Sequence, residues 1–111
     1  MKHFAGLDVS LDETTVCVVG EEGRIAKEAR VPSEPEALVA FFRSLGLAVE
    51  RVGLEACSLA AWLHEGLVAA SLPALCIETR RAEAAMGAMP NETDRNDARG
   101  LAQIVRTGRC T

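Results

Sequence analysis

The sequence predicts an α/β domain in which helices pack on a mixed β-sheet. Three strand-like segments follow one another near the amino terminus and are separated by tight turns. Two further strand-like segments are each reached through an amphipathic segment of helical length. Tight turns join antiparallel strands, whereas helical crossovers join parallel ones. We therefore expect one sheet that contains both kinds of pairing.

The first three strands are predicted as a meander over residues 3–10, 14–20 and 24–31. The connections SLDE and GEEG are short enough for hairpins. The second strand (TTVCVVG) is rich in β-branched residues, and the third alternates apolar and polar positions. This part of the sheet is therefore expected to be antiparallel.

The first helix is predicted to open at Ser33, which forms a capping box with Glu36. Pro35 is tolerated in a first helical turn, and Gly46 is a typical helix end. A fourth strand is expected over residues 50–55.

The second helix is predicted over residues 59–71, with Ser58 as its cap. Its expected inward stripe consists of Leu59, Trp62, Leu63, Leu67 and Val68. The fifth strand, residues 74–78, is nearly all apolar and is expected to be buried on both faces.

The last third of the chain is predicted to be helical over residues 80–88 and again over about 94–107, with Thr93 as a cap. Pro90 separates the two segments. The predicted order, β-β-β-α-β-α-β-α, is that of the RNase H-like (RuvC-like) fold.

Composition restricts the setting of the domain. The chain has 111 residues, enough for one domain, and 49% of them are hydrophobic. No run of 18 residues lacks charge, and the first ten residues include Asp8, so neither a membrane span nor a signal peptide is predicted. The four cysteines form no CxxC pair, so no zinc site is expected, and Cys17 and Cys76 are predicted to be buried. We expect a reducing, cytoplasmic location.

Two carboxylates belong to predicted strands, one in the middle of its strand and one at the end. Asp8 lies in the first strand, where an ionised group is costly unless it is paired or bound to a metal. Glu55 ends the fourth strand, at the sheet edge where ligands gather in α/β folds. Gly6 and Gly53 precede them by two positions, and each lets a ligand or another backbone approach.

Asp94 and Asp97 open the last helix three residues apart, where their charges repel each other. A helix amino end favours acids by ~0.3–1 kcal/mol, which is a sufficient structural explanation for this pair alone. In the predicted fold, however, both converge with Asp8 and Glu55. Four clustered carboxylates favour Mg²⁺ or Mn²⁺, and a two-ion site suits phosphoryl transfer.

The net charge of −4 argues against a simple electrostatic nucleic-acid binder. The charge is, however, unevenly distributed along the chain. Residues 78–111 carry six arginines against five acids, whereas residues 1–77 carry six basic residues against eleven acids. Arg95 and Arg99 are candidates for contacts with DNA or RNA phosphates. The alternative is i,i+4 pairing on a solvated helix.

Five other residues are weaker candidates. His3 could approach the site but is expected to be exposed, and His64 is expected to be solvated. Trp62 could stack on a base, although its place in the stripe favours the core. Ser10 and Thr93 could hydrogen-bond the outer shell of the site.

Three segments carry a family resemblance: GLDVS near the amino terminus, GLEAC at 53–57, and NETDRNDARGLAQIVRTG at 91–108. Together they closely resemble the DEDD transposases, insertion-sequence recombinases with a RuvC-like amino-terminal domain, a group that includes the bridge-RNA-guided recombinases. The resemblance implies that Asp8, Glu55, Asp94 and Asp97 form a two-metal site, with Asp8 bridging. It also implies DNA transposition, a guide RNA as partner, and a homo-oligomeric full-length protein.

Two departures from the family matter. Family members often have a Lys before the Thr-Asp step, where this chain has Glu92. The family also continues into a helical linker and a carboxyl-terminal domain with a catalytic serine. On this basis residues 1–111 are expected to be the catalytic domain alone, able to bind metal but inactive in recombination.

Three other functions stay open. A Holliday-junction-type nuclease would share the four acids. GLDVSLDETTVCVV also resembles the phosphate hairpin of the sugar-kinase and actin ATPases, which need a second lobe. A non-enzymatic assembly module would leave the acids facing solvent.

Overall fold

The computed structural model describes residues 2–55, 58–77 and 97–107, with Ser58 and Asp97 described by their backbone alone. These residues form five strands and three helices. In chain order they are β1 (His3–Val9), β2 (Glu13–Gly20), β3 (Ile25–Pro32), α1 (Pro35–Leu45), β4 (Val49–Glu55), α2 (Ser58–Ala69), β5 (Ala74–Ile77) and α3 (Asp97–Thr107).

The predicted mixed sheet is confirmed. Its strand order is β3-β2-β1-β4-β5. The β1–β2 and β2–β3 pairs are antiparallel, whereas β1–β4 and β4–β5 are parallel. The predicted helix at 80–88 and the cap at Thr93 lie outside the described residues, so the order of elements over the whole chain stays a prediction.

Helices cover both faces of the sheet. On one face, α1 packs over β3 and α2 over β4 and β5, and the two helices enclose an apolar core that includes Leu7, Leu38 and Leu63. On the other face, α3 packs across β1, β2 and β4 and buries Phe4 and Leu101. Alternation of side chains along each strand supplies apolar residues to both layers.

The start of α1 differs from the prediction. The helix begins at Pro35, and Glu34 occupies the cap position without a side-chain hydrogen bond. The Ser33 hydroxyl instead donates to the Ser10 carbonyl at 2.6 Å and lies 2.8 Å from the Thr14 hydroxyl. The predicted capping box is therefore wrong, because tertiary partners in the β1–β2 hairpin compete for the serine. Gly46 does end the helix, with a φ of 73°.

Burial at the β5 end of the sheet is also lower than predicted. Leu75 and Cys76 are both exposed, because β5 is the last strand of the described sheet and α2 covers it only in part. Trp62 is 50% exposed on the outer side of α2, so its assignment to the core was wrong. The prediction that Cys17 is buried is confirmed.

None of the helices in the described part of the chain is long and apolar enough to cross a membrane.

Candidate metal centre

A pair of glycines forms the floor on which α3 lies. Gly6 of β1 and Gly53 of β4 face each other in the parallel register. A Cβ atom at Gly6 would collide with the Ala98 carbonyl and the Ala102 amide of α3, and one at Gly53 would collide with Val105. The sequence predicted the approach of a ligand or a backbone at these positions, and the backbone of α3 makes that approach at Gly6.

The two strand carboxylates lie side by side beyond this floor. The last pair in the β1–β4 register is Leu7 with Leu54, and Asp8 and Glu55 follow directly after it. Both acids are two positions beyond a glycine, so they share the face on which α3 packs. Both residues are half-buried. Two carboxylates at adjacent strand ends favour a positive charge near them.

Helix α3 points its amino end toward these acids. Its Gln103 and Arg106 side chains reach Gly23 and Glu21 in the β2–β3 turn, at the amino end of β1. Asp97, the first residue of α3, therefore lies toward the carboxyl end of β1, next to Ala98. A helix amino end carries a partial positive charge, which favours anions there.

The carboxyl end of α3 is held by Arg51 of β4. Its guanidinium donates a hydrogen bond of 2.8 Å to the Val105 carbonyl and lies 5.9 Å from the centre of the Phe4 ring. A cation at this end complements the helix dipole. The two ends of α3 thus meet opposite charges, acids at the amino end and Arg51 at the carboxyl end.

The structure describes two of the four predicted metal ligands in full, one by its backbone alone and one not at all. Asp8 and Glu55 are neighbours, and the backbone of Asp97 lies toward the same end of the sheet. Asp94 lies outside the described residues, as do Arg95 and Thr93. Among the side chains that the structure describes, no group of three or more His, Cys, Asp or Glu residues could hold a metal ion. The four-acid site therefore stays a prediction.

The donor chemistry of the placed residues fits a hard divalent cation. Asp8 and Glu55 offer carboxylate oxygens, which Mg²⁺ and Mn²⁺ prefer. Half-burial lowers the effective dielectric around them and strengthens their attraction for a cation. Asp8 and Glu55, with Asp97 and Asp94 as predicted partners, are the residues that would hold it.

Arg99 pairs with neither of its predicted partners, a nucleic-acid phosphate or an acid four residues away on the same helix. Its guanidinium donates to both carboxylate oxygens of Glu28 on β3, at 2.7 and 2.8 Å. These hydrogen bonds lower the pKa of Glu28 and raise that of Arg99. The i,i+4 pairing is therefore not what the structure shows, and the role of Arg99 in nucleic-acid binding stays a prediction.

Burial raises the pKa of the Cys17 thiol to about 11, and the nearby Glu28 carboxylate adds to the rise. The thiol therefore stays protonated at neutral pH and is a poor nucleophile. Cys17 is a packing residue under the Arg99–Glu28 pair.

The weaker candidates His3, His64 and Ser10 make contacts other than those predicted. His3 is buried at the opposite end of β1 from Asp8, and its Nδ1 has no hydrogen-bond partner among the described residues. His64 is half-buried, with Nε2 3.1 Å from the Ala74 carbonyl. The predictions of an exposed His3 and a solvated His64 were wrong, because each ring packs into the domain. Ser10 contributes a backbone carbonyl to the Ser33 contact.

Comparison with solved structures establishes the fold. RuvC of Thermus thermophilus in complex with a Holliday junction substrate superposes with a TM-score of 0.67 at 15% identity, covering 97% of each chain. Another RuvC structure from Thermus thermophilus gives a TM-score of 0.67 at 14% identity, covering 96% of each chain. A ROK hexokinase from the same organism gives 0.54 at 18% identity, and the match covers 83% of this chain but 39% of the enzyme. No family model and no curated protein matches the chain. The fold is therefore RuvC-like.

Proposed function

We propose that this chain is the metal-dependent catalytic domain of a DEDD transposase, which cuts and rejoins DNA strands. The observation that carries the proposal is that Asp8 and Glu55 directly follow the last pair, Leu7 with Leu54, of two adjacent parallel strands. The amino end of α3 points to the same place. The GLDVS, GLEAC and TDRNDA segments, which resemble that family, contain these acids in the same order.

The chain's own residues would act on a phosphodiester by binding and orientation. Carboxylate oxygens of Asp8 and Glu55 would hold the metal ions at the sheet edge, and Asp94 and Asp97 would complete the ligand set. The positive end of the α3 dipole favours the phosphate. Two bound Mg²⁺ or Mn²⁺ ions would stabilise charge on the attacking and leaving oxygens.

The partners follow from the same proposal. DNA is the substrate, and a guide RNA and a second copy of the chain are proposed from the family resemblance. Residues 1–111 are proposed to bind the metal ions. Arg95 is a proposed phosphate contact, and so is the part of the Arg99 guanidinium that does not contact Glu28.

A Holliday-junction-type nuclease is the second candidate, because the RuvC neighbour matches over almost the whole length of both chains and is bound to a junction. The sugar-kinase alternative is less favoured, because the ROK hexokinase match covers only 39% of that enzyme. Cleavage of an immobile four-way junction in Mn²⁺, with a linear duplex of the same sequence left intact, would favour the nuclease.

The metal site is tested by titrating Mn²⁺ into the full chain, with binding measured by calorimetry. Asp8→Asn and Glu55→Gln should each raise the Kd more than about a hundredfold, since even outer partners of a metal site contribute about 10–100-fold. Glu22→Gln and Glu50→Gln are matched controls, because both acids are exposed and lie at the amino ends of β1 and β4, opposite to Asp8 and Glu55. Equal affinities in all five proteins, or no binding by the wild type, would remove the basis of the proposal.

A further inference from the structure

A line of polar contacts ties α3 to the β2–β3 hairpin. We call it the α3 seam and define it by Glu28, Arg99, Gln103 and Arg106. Besides the Arg99–Glu28 pair, the Gln103 amide donates to the Gly23 carbonyl at 3.0 Å. Arg106 donates to Gln103 at 2.6 Å, so the contacts run along one side of the helix.

The glycine floor alone leaves the position of α3 underdetermined. Gly6 sets how closely α3 approaches the sheet, because the Ala98 and Ala102 backbone rests against it. A surface without side chains offers no ridges, so it resists sliding and rotation of the helix poorly. Apolar packing of Leu101 and Val105 and the Arg51 contact hold the later turns of α3, so a directional contact near its start acts mainly on the position of the first turn.

The Arg99–Glu28 pair supplies such a contact. The guanidinium and the carboxylate meet at two points, a geometry that fixes orientation as well as distance. Arg99 lies two residues after Asp97, in the first turn of α3. Its side chain is 48% exposed, and exposed ion pairs contribute little to stability. The contribution of the pair is therefore expected to be mainly geometric.

We propose that Arg99 and Glu28 are positioning residues that hold the first turn of α3 in register with Asp8 and Glu55. This inference rests on the proposed metal site and deepens it. The pair acts by fixing the helix that carries Asp97.

The test compares Mn²⁺ affinity with thermal stability measured without metal, in the full chain. Glu28→Ala, Arg99→Ala and the double variant form a double-mutant cycle, and Arg99→Lys keeps the charge but loses the fork. Glu22→Ala is the matched control. It removes the same charge from the same hairpin, and the Glu22 side chain is 77% exposed in a longer 3.9 Å contact with Arg24.

We expect Glu28→Ala and Arg99→Ala each to weaken Mn²⁺ binding about tenfold, and the double variant by no more than either. Arg99→Lys should fall between Arg99→Ala and the wild type. The Tm values without metal should stay close to that of Glu22→Ala, whose Mn²⁺ affinity should remain near wild type. If Arg99→Ala lowers the Tm while Glu28→Ala keeps the wild-type Mn²⁺ affinity, the Arg99–Glu28 pair is a structural contact only and the positioning role is overturned.

The two proposals fail in different ways. If wild type binds Mn²⁺ and Asp8→Asn does not, but Glu28→Ala binds like Glu22→Ala, the positioning role is overturned and the metal site stands. If wild type shows no Mn²⁺ binding, the metal site is overturned, and the positioning role fails with it.

Discussion

The same strands present different kinds of residue on the two faces of the sheet. On the α1/α2 face, β1 presents Leu7, which packs among Leu38 and Leu63, and all three are fully buried. On the α3 face, β1 presents Gly6 and Asp8 at alternate positions. The first face is filled with large aliphatic side chains, whereas the second packs Phe4 at one end of β1 and combines a bare backbone with a carboxylate toward the other end.

The difference teaches where stability and function lie in this domain. Large buried side chains stabilise by removing apolar surface from water. Glycines allow a helix backbone to approach the strands closely enough to share an edge with their carboxylates. The α1/α2 face is therefore expected to hold the fold, and the α3 face to hold the site. Three substitutions with their controls would break or sharpen that division.

The largest effect on stability is expected from Leu63→Ala. Leu63 is fully buried on α2, and truncating a buried leucine costs about 2–5 kcal/mol. Urea denaturation should show that loss, while the Mn²⁺ Kd of the folded fraction stays at the wild-type value. Leu11→Ala is the control, because Leu11 is 84% exposed. A large change in Mn²⁺ affinity at constant folded fraction would contradict the division between the faces.

Gly6→Ala is expected to act on both stability and metal affinity. Its Cβ would meet the backbone of Ala98 and Ala102, so α3 must move away. Such overpacking costs about 1–3 kcal/mol, and we expect a weaker Mn²⁺ Kd as well. At Gly20 of β2 an added Cβ meets open space, so Gly20→Ala should change neither quantity. Similar results for the two variants would show that α3 does not rest on the glycine floor.

The smallest effect is expected from acid, through Glu28. The hydrogen bonds from Arg99 lower its pKa below the ordinary value of 4.5. A lowered folded-state pKa stabilises the native state above 4.5, and this stabilisation is lost as pH falls through the folded pKa. Urea midpoints measured between pH 3 and 6 should therefore fall less steeply at the acid end in Glu28→Gln than in wild type. Parallel curves would show that the pair is not formed in solution.

The strands and their pairing could be predicted because local patterns determine them. Each predicted strand boundary lies within one residue of the described one, since the alternation and tight turns are local signals. Gly46 ends α1 as its conformational freedom predicts. The start of α1 could not be predicted, because Ser33 exchanges a local cap for partners at Ser10 and Thr14.

Tertiary contacts explain why the partner of Arg99 and the exposure of Trp62 could not be predicted from the sequence. The neighbouring positions of Asp8 and Glu55 follow from the pairing of β1 with β4, in agreement with the convergence expected from the predicted fold. The Arg99–Glu28 pair joins residues 71 positions apart, and no spacing rule connects them. Trp62 fits a helical stripe, but α1 and the sheet cover only the side of α2 that carries Leu63 and Leu67.

The contact between Gly6 and α3 has a consequence for synthesis on the ribosome. The first strand emerges early, whereas Ala98 and its neighbours emerge almost a whole domain later. Until then the α1/α2 side can consolidate, but Phe4 and Val19 on the opposite side of the nascent sheet remain uncovered. The emerging chain therefore passes through a stage in which one face of the sheet exposes apolar side chains. During that stage, binding by chaperones and self-association compete with the docking of α3.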